Sequence, residues 1–317
     1  MIRRVKLTRA TGLLILSMAC VGLSLFLMAQ KDSSSAVIRV NSTLVLVPVS
    51  VTDANGQAVR DLTAADFRLE DEGREQTTTL LGEPGKTAIE LAILFDVSGS
   101  IHDRFQFEQQ VAAQFLKVVL KPNDSVSVFS IGMTPKLVQP RTRDNAAAMN
   151  GLLRIQPTKE ATAFYDAVAD AAQYLRKTAQ PGTRRVQVVI SDGEDNNSER
   201  YRLGETMREM QRADCIFYSI NPGGPSIRLN KISLKGQEGM EALATHTGGQ
   251  AFLPDKAADL EAVFRQIAAE LQAQYLLGFY VSHPRADGGF RRISVRVPKQ
   301  PELRVRARQG YYAPTAP

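Results

Sequence analysis

Cysteine is scarce in this chain of 317 residues: there are two, and only Cys215 lies beyond the first 29 positions. No intramolecular disulfide can therefore staple the fold. Cys215 opens the apolar stretch "CIFYSI", which reads as a buried structural thiol rather than a nucleophile. Histidine is scarcer still in effect, since His102, His246 and His283 stand far apart and form no Cys/His pattern suited to zinc. Acidic residues are missing from positions 1–29, which hold Arg3, Arg4, Lys6 and Arg9. Beyond that segment 35 basic residues face 33 acidic ones, so the formal charge of +6 gives no argument for nucleic-acid binding. No period of 20–50 residues recurs, which excludes a repeat architecture.

The acid-free start is a targeting segment. "MIRRVKLTRA" is a positive leader and "TGLLILSMACVGLSLFLMA" an uncharged apolar run, together a signal peptide or signal anchor over 1–29. Its length falls between a signal-peptide core and a short membrane helix. Cleavage after Ala29 and retention as an anchor both remain open, because Leu27 is bulky for a peptidase site. Ser17-Met18-Ala19 suits a peptidase better but leaves an apolar stub, and Ser17 stands where lipidation at Cys20 wants leucine. Either outcome exports the rest: periplasmic, secreted, or held to the membrane by this segment alone.

Hydrophobic patterning divides the remainder. Residues 37–86 are β-rich, with the alternating "VIRVNSTLVLVPVSV", an Asn55-Gly56 turn, and short strands in "DFRLEDEG" and "QTTTLL". From 88 to 272 strands and helices alternate. Strands are expected at "AIELAILF", "SVSVFSI", "PKLVQ", "RVQVVI", "CIFYSI" and "QAFLP". Helices are expected near 104–120, 144–154, 162–178, 199–212, 238–246 and 256–272. This is an α/β, doubly wound fold with a mostly parallel central sheet flanked by helices. Residues 274–313 return to β pattern, and their alternating Arg304, Arg306 and Arg308 read as a solvated strand face or, second, as an anionic-surface contact. Neither β segment alone buries a good core, so the two are expected to pair into one β-sandwich-like domain with 88–272 inserted between them.

The chemistry gathers where strands end. "LFDVSGS" places Asp96, Ser98 and Ser100 just past the first α/β strand, and "VQVVISDGED" places Asp192 one residue past a buried run. "EATAFYDAVADAA" sets Thr162 at a helix entrance, where it also suits an N-cap. In an open parallel sheet such positions share the carboxyl edge where ligands bind. Singly, each residue is ordinary turn, solvation or cap chemistry; together they bring two carboxylates and three hydroxyls to one edge.

This ordered set resembles the von Willebrand factor type A domain with its metal-ion-dependent adhesion site, over roughly 88–272. The resemblance implies that Ser98, Ser100 and Thr162 bind Mg²⁺ or Mn²⁺ directly while Asp96 and Asp192 hold its waters. It further implies a protein partner whose acidic side chain fills an open metal position. Neutral hydroxyl ligands suit that role, since they leave the metal its charge. One departure is that Glu160-Ala161 precede Thr162 where family members often carry glycines, so Glu160 could screen the open position. The flanks "LVLVPVSVTDANGQAVRDLTAADFRLEDEGREQ", "ALATHTGGQAF" and "VRARQGYY" resemble a VWFA-related family abundant in Acidobacteria, which brings no established activity.

Three functions compete. Metal-dependent protein binding ranks first, and a structural or assembly role with a dispensable metal site second. A metal-dependent hydrolase ranks last. Phosphatases with an aspartate nucleophile need a second aspartate where Ser98 stands, and a serine elbow needs G-x-S-x-G where this chain has D-V-S-G-S. His102 reads as a solvated loop residue and His246 as a helix-end one, leaving no nucleophile–base–orienter set.

Overall fold

A computed structural model describes residues 44–80, 84–98, 105–225, 231–254, 256, 259–281 and 285–315. The expected targeting segment, the start of the first expected strand, Ser100, His102 and His283 lie outside the described residues. Among the described residues no helix is long and apolar enough to cross a membrane.

The chain begins with β1 (Leu44–Thr52), β2 (Arg68–Asp71), β3 (Arg74–Gln76) and β4 (Thr79–Leu80). The α/β part follows: β5 (Ile89–Asp96), α1 (Phe105–Val119), β6 (Ser125–Ile131), β7 (Lys136–Thr142), α2 (Asn145–Leu153), α3 (Phe164–Thr178) and β8 (Arg184–Ile190). It continues through α4 (Leu203–Arg212), β9 (Cys215–Ile220), α5 (Lys231–Thr247), β10 (Ala251–Phe252) and α6 (Leu260–Ala273). β11 (Tyr275–Tyr280), β12 (Phe290–Arg296), β13 (Arg304–Ala307) and β14 (Gly310–Tyr312) complete it.

The central sheet runs β10-β9-β8-β5-β6-β7, parallel except for β7. Every residue of β5 is buried, as its unbroken apolar sequence requires of a strand covered on both faces. Alternation divides its side chains: Leu91, Ile93 and Phe95 join α1, α2 and α6, while Ala92 and Leu94 join α3, α4 and α5. This is the expected class, a mostly parallel sheet between two helical layers.

The flanking segments form two antiparallel sheets, β13-β1-β11-β4 and β14-β12-β2-β3. Each interleaves strands from both ends of the chain, and Val47, Val49, Leu69, Tyr275, Leu277 and Phe279 share one core. The two connections to the α/β part run side by side, with the Gly85 N–H donating to the Gln274 carbonyl at 2.9 Å.

Two expectations change. The arginine alternation is not a solvated face: Arg304 is exposed, but Arg306 pairs with Glu270 of α6 and Arg308 with Asp214 beside β9. Glu270 also accepts from Ser50 Oγ at 2.7 Å and Tyr218 Oη at 2.5 Å, so β1, β9, α6 and β13 meet at one buried carboxylate. The helix expected at 238–246 spans 231–247 instead. Gly236 and Gly239 weaken its helical signal, yet each is needed for close packing. A Cβ on Gly236 would lie 2.6 Å from the Gly193 backbone, and one on Gly239 would lie 2.6 Å from Tyr165 Oη.

Candidate functional site

β6 and β7 lie on one side of β5, and β8, β9 and β10 on the other. The strand order therefore reverses between β5 and β8, and the crevice there opens at their carboxyl ends. Asp96 is the last residue of β5, and Ser191-Asp192 directly follow β8.

Asp96 is fully buried. Its Oδ2 accepts from Ser191 Oγ at 2.5 Å and its Oδ1 from the Ser98 N–H at 2.9 Å. Burial pushes its pKa up to about 6; the Ser191 and Ser98 donors counteract this, and the Asp192 charge adds to it. Among the described residues neither aspartate has a Lys, Arg or His partner, unlike Glu90, Asp166 and Glu270, which pair with arginines. Asp192 is half-buried and its Oδ1 accepts from the Glu194 N–H at 3.0 Å, while Gly193 N–H donates to Ser191 Oγ at 3.0 Å. Gly193 adopts φ 76°, and a Cβ there would meet the Gly236 carbonyl at 2.7 Å, so only glycine fits this turn.

Thr162 reaches the same edge without glycines before it. It is not an N-cap: α3 is preceded by Ala163, and no side chain caps it. Instead, the Thr162 N–H donates to Asn196 Oδ1 at 2.7 Å, and its carbonyl accepts from the N–H groups of Asn196 and Asn197 at 3.1 and 3.0 Å. The preceding loop is fixed as well, with the Thr158 N–H donating to the Val97 carbonyl at 2.6 Å and Ala163 N–H to Gly132 at 2.9 Å. Asp166 draws residues 199–201 down by accepting from their backbone N–H groups. That loop replaces the first turn expected for a helix from 199. Glu160 is exposed.

Asp96, at the end of β5, is thus tied to the loops that carry Ser98, Thr162 and Asp192; Ser100 lies outside the described residues. Sequence reasoning missed Ser191 and Asn196. Their only signal was position, one residue before and four after Asp192. No cluster of three His, Cys, Asp or Glu side chains suited to a metal occurs among the described residues. The donor set still fits a metal ion: its atoms are hard carboxylate and hydroxyl oxygens, and a buried carboxylate near a second one gains from a cation. His246 Nδ1 lies 2.8 Å from the Ala242 carbonyl in its own helix, away from this edge.

Residues 91–194 match the family model of the von Willebrand factor type A domain. No curated protein matches the chain. Among solved structures the chain is similar to the conserved hypothetical protein BatB from Bacteroides thetaiotaomicron, at 22% identity and TM-score 0.42 over 57% of this chain and 98% of that one. It is also similar to a von Willebrand factor type A protein from Catenulispora acidiphila, at 14% identity and TM-score 0.47 over 74% of this chain and 51% of that one. A third is the vWF domain of the type V pili tip protein Mfa5 from Porphyromonas gingivalis, at 12% identity and TM-score 0.46 over 57% and 94%.

Proposed function

From the von Willebrand factor type A domain that the chain carries over 91–194, we propose an exported cell-envelope protein that binds a protein partner through a divalent metal. Ser98, Ser100 and Thr162 would hold Mg²⁺ or Mn²⁺, and Asp96 and Asp192 would orient its waters. When bound, the metal supplies a Lewis-acidic position for a carboxylate of the partner. The chain's own residues prepare that position: Ser191 orients Asp96, and Asn196 holds the Thr162 backbone against the Asp192 loop. The protein acts by binding rather than by catalysis.

One observation carries this reading. Asp96 is wholly buried at the strand-order reversal, has only hydroxyl and amide donors among the described residues, and stands near a second carboxylate. Such a carboxylate is costly to keep for structure alone. Export rests on the basic and apolar segment 1–29, cleaved or kept as an anchor.

The test is capture from envelope extract by the tagged chain, in Mg²⁺ and in EDTA, with wild type and Asp96→Ala. Binding lost in EDTA and in the variant supports the reading. Capture that survives both points instead to assembly through other surfaces. A C-terminal tag found only in the cytosol would remove the export part.

A further inference from the structure

Two glycines interrupt α5, and a glycine inside a helix costs stability relative to alanine. Gly239 faces Tyr165, but Gly236 faces the loop that carries Asp192. A Cβ on Gly236 would lie 2.6 Å from the Gly193 carbonyl and 2.9 Å from the Glu194 nitrogen. In the other direction, a Cβ on Gly193 would lie 2.7 Å from the Gly236 carbonyl oxygen and 2.8 Å from the Met240 methyl. The two backbones thus pack directly on one another. One turn earlier, Ser233 Oγ donates to the Glu194 carboxylate.

These contacts fall on the two residues that aim the site. The Gly193 N–H donates to Ser191 Oγ at 3.0 Å, and Ser191 Oγ donates to Asp96 Oδ2 at 2.5 Å. The Glu194 N–H donates to Asp192 Oδ1 at 3.0 Å. A shift of Gly193 and Glu194 therefore disturbs the orientation of both aspartates. The helix is the fixed member of the contact, since Met240, Leu243 and Ala244 are buried in the core it shares with α3 and α4. Asp192 and Glu194 are only half-buried. A methyl added at 236 is accordingly relieved by the loop rather than by α5.

We infer that α5 positions the Asp192 loop, with Gly236 and Ser233 as positioning residues that set the site's affinity for its metal. This rests on the adhesion reading, in which Asp96 and Asp192 orient the metal's waters. Both positioning residues act through Gly193 and Glu194, and the helix gives up propensity at 236 to keep the contact.

The test is calorimetric Mg²⁺ titration of the full chain, beside hydrogen exchange of the Gly193 and Glu194 amides in EDTA and a melting curve for each variant. Gly236→Ala is expected to weaken Mg²⁺ about ten-fold or more and to speed exchange at both amides. Ser233→Ala acts in the same direction, and Ser233→Thr, which keeps the hydroxyl, returns towards wild type. Gly204→Ala is the control: this glycine lies in α4, and a Cβ there meets nothing within 4 Å, so affinity and exchange stay as in wild type. Where Gly236→Ala does not fold, the two Ser233 variants decide. Wild-type Mg²⁺ affinity in folded Gly236→Ala and in Ser233→Ala overturns the inference, even with lowered melting temperatures, and leaves the adhesion reading standing. If wild type binds no Mg²⁺, the adhesion reading falls and exchange alone decides. Unchanged exchange in the variants then overturns the support of the loop by α5, and faster exchange upholds it.

Discussion

Two buried carboxylates lie at opposite extremes of the same fold. Glu270, on α6 where the β sheets meet the α/β part, has Arg306, Tyr218 and Ser50 around it. Among the described residues Asp96, at the carboxyl end of β5, has Ser191 and Ser98 as its donors and Asp192 as a charged neighbour. Both are almost wholly removed from water. The first is a completed ion pair and holds layers together. The second is left with a charge that neutral groups only partly stabilise. Compensated buried charge reads as structure, and uncompensated buried charge at a strand-order reversal reads as function.

Breaking the completed pair has the largest effect. Arg306→Ala leaves Glu270 buried without its cation and is expected to cost about 3–5 kcal/mol in urea denaturation. The joint change Arg306→Met/Glu270→Leu is expected to recover only part of that loss, because it removes the stranded charge but also the acceptor of the buried Tyr218 and Ser50 hydroxyls. Asp96→Asn is expected to behave in the opposite sense. In EDTA its stability equals or exceeds wild type, since a poorly compensated charge is gone. What it loses is the gain from metal, about 2.7 kcal/mol at a hundred times the dissociation constant, read as the Mg²⁺-dependent rise in melting temperature.

Smaller effects sharpen the contrast. Asn196→Ala releases the Thr162 backbone and is expected to weaken Mg²⁺ about ten-fold in calorimetry, with little change in stability without metal. Tyr218→Phe removes one of three donors to Glu270 and is expected to cost about 1 kcal/mol in urea denaturation without touching Mg²⁺ affinity.

The two regions were unequally legible in the sequence. Asp96, Ser98 and Asp192 could be placed at one edge because local rules suffice: a buried apolar strand ends, and the next residues face the crevice. The Glu270 junction could not, because its partners come from positions 50, 218 and 306 and no local pattern links them. Arg306 was misread for the same reason, since alternation along β13 says which side chains share a face but not what covers it. The start of α5 was lost to Gly236 and Gly239, whose low helix propensity is outweighed by close contact with Gly193 and Tyr165. Ser191 and Asn196 lay beside recognised residues, but their roles depend on which loop each faces.

The most direct test of the central claim is calorimetric titration of the full chain with Mg²⁺ and Mn²⁺, comparing wild type with Asp96→Ala and Ser98→Ala. Wild type is expected to bind one ion, and both variants to lose that binding while keeping a cooperative melting transition. Equal metal affinity in wild type and Asp96→Ala would contradict the account and leave this edge of the sheet as turn chemistry.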